Sequence, residues 1–107
     1  MSKVHLMISE TAASGDVTSA EVHFQHTDDE VGLYQVTATA GGTGALTNVF
    51  FYGRLSKAHT WTLVASSGAV DSAAAIGGKM GTINIMPDMY VVADVGSSPT
   101  FKVSIQE

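Results

Sequence analysis

The densest group of potential ligands in the sequence is His23-Phe24-Gln25-His26-Thr27-Asp28-Asp29-Glu30, with two imidazoles and three carboxylates within eight residues. Side chains three apart on a strand point to opposite faces, so a strand cannot bring His23 and His26 to one zinc ion without a bulge or turn at Thr27. Residues 23–30 therefore read as a solvated acidic turn, and Ca²⁺ on the carboxylates is the one cation chemistry left open. The second group is aromatic. In Asn48-Val49-Phe50-Phe51-Tyr52-Gly53-Arg54-Leu55, strand alternation assigns Val49, Phe51 and Leu55 to an inner face and puts Phe50, Tyr52 and Arg54 together on the other. Tyr, Phe and Arg are enriched at the buried centres of interfaces, which makes Phe50, Tyr52 and Arg54 the candidate interaction residues. Trp61, two positions before Leu63, is expected to anchor the core.

Catalytic chemistry finds no comparable pattern. Gly78-Lys79 could end a phosphate-binding loop, but its first glycine position holds Ala73 and Met80 stands where Ser or Thr is needed. Gly41-Gly42-Thr43-Gly44 lacks both the spacing and the following helix of a dinucleotide loop, and no Gly-x-Ser-x-Gly elbow occurs. The absence of cysteine excludes disulfides, thiolate metal sites and Cys nucleophiles. A non-enzymatic protein without catalytic residues, cofactor or resident metal is expected.

These groups must be positioned by a chain of 107 residues, the size of one domain. Charged residues make up 14% of it, against roughly 25% in an average domain. The net charge is −5, and six of the ten acids precede residue 31, opposed there only by Lys3. Without a basic stripe or a basic amphipathic helix, nucleic acid and membrane surfaces are not expected as partners. The N-terminus has no continuous apolar h-region, so no signal peptide is read, and no run reaches the ~18 apolar residues of a membrane helix.

Period-2 alternation rich in Val, Ile, Thr and aromatics recurs almost end to end, which predicts an all-β fold. Eight strands are expected at 4–9, 20–26, 33–40, 46–55, 60–66, 82–86, 89–95 and 100–105. The inward rows would be Val4, Leu6 and Ile8; Val22 and Phe24; Tyr34, Val36 and Ala38; and Phe101, Val103 and Ile105. Ser56-Lys57-Ala58 reads as a tight hairpin turn, while Pro87-Asp88 and Ser97-Ser98-Pro99 read as closing the last two hairpins. Residues 9–17 are expected to form a loop that orders on a partner or lies in solvent. Residues 67–81, rich in Ala and Gly, read as a long loop in which Asp71 caps one helical turn at 73–76 and Gly77 ends it. The pattern as a whole is that of a single two-sheet β-sandwich or jelly roll.

The Gly-Arg-Leu strand, the Thr-Trp-Thr-Leu strand after it and the Met-Tyr-Val-Val-Ala-Asp-Val strand near the C-terminus resemble those of small β-sandwich structural proteins of tailed bacteriophages, over roughly residues 46–105. That resemblance implies a virion component made in the host cytoplasm. In particular it implies a capsid decoration or cement protein, often a trimer, that binds the major capsid protein lattice and stabilises the head. Two alternatives share the composition. One is another virion part, such as a tail, connector or fibre-tip module. The other is a carbohydrate-binding module, in which Phe50, Tyr52 and Trp61 would stack on sugar rings.

Overall fold

A computed structural model describes residues 4–11, 15–24, 31–39, 44–71, 78–96 and 99–107. Among the described residues nine strands follow one another: β1 (Val4–Thr11), β2 (Gly15–Thr18), β3 (Val22–His23), β4 (Val31–Ala38), β5 (Leu46–Arg54), β6 (Thr62–Ser66), β7 (Gly78–Asn84), β8 (Asp88–Val95) and β9 (Thr100–Gln106). They form two antiparallel sheets. One has the order β1-β9-β4-β7, and the other the order β2-β8-β5-β6 with β3 also paired to β8. β2 and β3 meet opposite ends of β8, so they act as one interrupted strand. With that merger each sheet has four positions, every connection except β5–β6 passes between the sheets, and the order is that of a jelly roll.

Alternation explains why the layers close. In β8, Met89, Val91, Ala93 and Val95 are buried while Asp88, Tyr90, Val92 and Asp94 are only partly covered. The inner rows of β4 (Val36, Ala38), β5 (Val49, Phe51) and β9 (Phe101, Val103, Ile105) meet that row to make one core. Complete burial of each large apolar side chain contributes roughly 1.5–3 kcal/mol. With no cysteine to staple the chain, this core carries its stability.

The β-sandwich is the expected fold, but several local expectations are corrected. Val4 and Leu6 do not share a face with Ile8: a bulge between Leu6 and Ile8 turns Met7 and Ile8 inward and leaves Val4 and Leu6 exposed. Residues 15–17, expected in a loop, belong to β2 and pair with β8, and 9–11 belong to β1. Of the strand expected at 20–26, Val22–His23 is a strand among the described residues 20–24, with Val22 and Phe24 facing the core, and residues 25–26 lie outside the described residues. Neither Pro87 nor Pro99 closes a hairpin, because β7 and β9 lie in the sheet opposite β8. Residues 78–81 belong to β7, where pairing with β4 overrides the low strand preference of Gly78 and Gly81. The helical turn expected at 73–76 lies outside the described residues. Asp71 accepts a hydrogen bond from the Gly44 N–H (2.6 Å), and Val70 pairs with Leu46.

Candidate functional site

Alternation along β5 points Phe50, Tyr52 and Arg54 outward from the five-stranded sheet, as their spacing predicts. Strand pairing then adds residues that spacing alone does not reveal. Tyr90 of β8 lies directly opposite Tyr52, and the two rings stack at 5.1 Å with 15° between their planes. Phe50 follows at 6.5 Å from Tyr52. Trp61 is the main correction here. It does not enter the core but sits half-buried on this outer face, edge-on to Tyr90 at 4.7 Å. Arg54 covers the indole, its guanidinium carbon 4.0 Å from the ring centroid. The result is a continuous ridge of Phe50, Tyr52, Tyr90, Trp61 and Arg54 across two central strands and the β5–β6 turn.

Carboxylates hold the arginine in place. Asp88, opposite Arg54 in the β5–β8 register, accepts from Arg54 Nε at 3.3 Å, and the exposed Glu21 accepts from Nη2 at 3.4 Å. The second Asp88 oxygen accepts from His23 Nδ1 at 2.8 Å. The His23 hydrogen bond holds the Asp88 carboxyl below its ordinary value of 3.8 against the opposing effect of burial, and the Arg54 guanidinium adds a smaller lowering. A depressed folded-state pKa contributes stability above the unfolded value, which is lost as pH falls through the folded one. The difference in melting temperature between wild type and Asp88→Asn is therefore expected to be constant from neutral pH down to about 5 and to shrink toward zero below the ordinary carboxylate value. A pH series of thermal melts of the two proteins checks this, and a difference that persists unchanged into strong acid would contradict it.

Leu55, expected inward, lies past the end of β5 and stands exposed at the mouth of a cleft of about 670 Å³. The cleft is lined by Gly53, Leu55, His59, Leu63, Val64 and Met86 among others. Of the segment 23–30, only His23 and Phe24 are among the described residues; His23 is committed to Asp88, and the remainder of the segment lies outside them. Among the described residues no group of three or more His, Asp or Glu side chains is arranged to hold a metal ion. No helix among them is long and apolar enough to cross a membrane.

No protein-family model matches the chain, and no curated protein matches it. Solved structures do share its fold. The crystal structure of the SPBc2 prophage-derived protein YomS is similar with a TM-score of 0.56 at 13% identity, covering 100% of this chain and 94% of that one. The crystal structure of PirA is similar with a TM-score of 0.52 at 14% identity, covering 99% and 93%. A mutant of the family 29 carbohydrate binding module CBM29-2 is more distant, with a TM-score of 0.43 at 8% identity over 100% and 91%. At these identities the likeness establishes the β-sandwich and leaves function to the surface of this chain.

A sugar platform needs open ring faces on which a pyranose can lie. Here Tyr52 and Tyr90 turn a face to each other, and Trp61 has one face under Arg54.

Proposed function

We propose that the protein is a non-enzymatic virion structural protein, a capsid decoration or cement protein that docks on the major capsid protein lattice through the Phe50, Tyr52, Tyr90, Trp61 and Arg54 ridge. The observation that carries this reading is the packing of the ridge itself: aromatic rings locked against one another, with an arginine fixed by Asp88. Such a surface is ordered before it binds, so little side-chain entropy is lost on docking. Acids border it. Asp16 and Asp94 face each other across β2 and β8 on the same outer side, a like-charge pairing that is unfavourable in isolation and that a basic partner surface relieves. The prophage origin of YomS, which shares the fold, supports a place in a phage particle.

The test is co-sedimentation with purified capsids lacking the protein. Wild type is expected to pellet with the capsids, less so as salt rises. Tyr52→Ala and Arg54→Ala are each expected to weaken binding by at least about tenfold, as for interface hot spots, with the folded state confirmed by circular dichroism. Wild type that stays in the supernatant at all salt concentrations would overturn the capsid reading. Binding to a glycan array that Tyr52→Ala abolishes would replace it with the carbohydrate-binding one.

A further inference from the structure

We propose that the outer face of the β1-β9-β4-β7 sheet pairs with the same face of a second copy, forming an isologous dimer. The exposed large hydrophobic residues of the described chain are not scattered. Leu55 and Leu63 line the cleft, and the other five are Val4 (62% exposed), Leu6 (60%), Val31 (63%), Leu33 (42%) and Met80 (63%). Register places all five on one surface. Val4, Gln106, Leu33 and Thr82 form one row across the four strands, and Leu6, Ser104, Gln35 and Met80 the next, while Val31 opposes Asn84. Residues directly opposite on paired strands share a face. The β1 bulge is what puts Leu6 here while turning Met7 and Ile8 into the core.

Charge selects the occupant. The only charged residue that register assigns to these outer rows is Lys102, opposite Thr37 at the far end, so the centre of the face holds nothing for a charged partner to match. An uncharged surface of alternating apolar and neutral polar side chains is complementary to itself, the condition for a two-fold interface. Its size also suffices. Four strands about 4.8 Å apart with about 3.3 Å per residue present on the order of 500 Å². Two such faces bury about 1,000 Å², the lower bound for a specific interface. The proposal does not rest on capsid docking, because the aromatic ridge lies on the opposite side of the sandwich. It predicts a dimer where the phage resemblance implies a trimer.

Sedimentation equilibrium of the full chain from micromolar to millimolar concentration tests it. Wild type is expected to reach twice the chain mass, and Leu6→Glu/Leu33→Glu, at exposed positions that leave the core untouched, to weaken association at least about tenfold. Thermal melts establish that the double variant is folded. A second readout uses the absence of native cysteine. Gln35→Cys is expected to yield a covalent dimer with a short bis-maleimide, and Asn48→Cys, on the other sheet's outer face, is not. A monomer throughout, an assembly that survives the double glutamate substitution, or linkage through position 48 and not 35 would each overturn the proposal.

Discussion

Phe51→Ala is expected to destabilise the protein by about 3–5 kcal/mol, lowering the melting temperature by roughly 12 °C or more on the 4–8 °C per kcal/mol scale of domains this size. Phe51 is completely buried in β5, the strand that pairs with both β6 and β8. Its ring lies 4.7 Å from that of Tyr34 on the opposite sheet, so it bridges the two layers. Truncation removes the burial of a whole ring and opens a cavity between sheets whose backbones are fixed by their own hydrogen bonds and cannot collapse to fill it. Guanidinium unfolding of the two proteins measures the loss. A change below 1 kcal/mol would mean that the layers do not pack around β5. Phe50→Ala, one residue away on the outer face, is the contrast: a much smaller stability loss is expected, with its effect concentrated in partner binding.

The second large effect is expected from adding a single carbon. Gly32→Ala in β4 would ordinarily stabilise a strand, since glycine costs about 0.5–1 kcal/mol there relative to alanine. The sign should reverse, because an alanine Cβ would stand 2.2 Å from the main-chain carbonyl oxygen of Gln106 and 2.8 Å from Ile85 Cδ1. A backbone oxygen in a paired strand cannot rotate aside. β9 must move away from β4, and a destabilisation of about 3 kcal/mol, at the upper end of ordinary overpacking, is expected. Gly53→Ala supplies the internal comparison. Its Cβ would meet the Met86 side chain at 2.6 and 2.8 Å and Val64 Cγ2 at 3.0 Å, and a methionine can change rotamer. Equal melting temperatures for the two variants would contradict the close β4–β9 approach. A Gly32→Ala protein that remains folded should also lose self-association, since Val31 and Leu33 flank the displaced position on the outer face.

Both halves of the candidate surface show how far local pattern reaches. That Phe50, Tyr52 and Arg54 share a face follows from a two-residue period that holds in any sheet. That Tyr90 stacks on Tyr52 depends on the register of β5 against β8, set by two segments more than thirty residues apart, and nothing within either segment encodes it. Trp61 misled for a related reason. Leu63 stands two positions on, so alternation reads Trp61 as core, but the chain sets it on the outer face of the sheet, where Arg54 and Tyr90 pack against it. Glu21, His23 and Asp88 were likewise invisible as a group, because His23 looked like part of an acidic turn and Asp88 like part of a hairpin. The apolar outer face was hidden by the bulge in β1, which breaks the alternation that the reading of Val4, Leu6 and Ile8 assumed.

The amino-acid order by itself determined that the protein is all-β and two-layered, which residues alternate inward along β4 and β9, and that a pair of aromatics and an arginine leave the core together. These are consequences of side-chain period and hydrophobicity, properties that act between near neighbours in the chain. The tertiary structure alone decided the jelly-roll order, the ridge that unites β5, β8 and the β5–β6 turn, and the gathering of five exposed hydrophobic residues on one sheet. Each of these rests on the register between distant strands. Register is set by how two sheets fill the space between them, a condition that no single segment can satisfy alone.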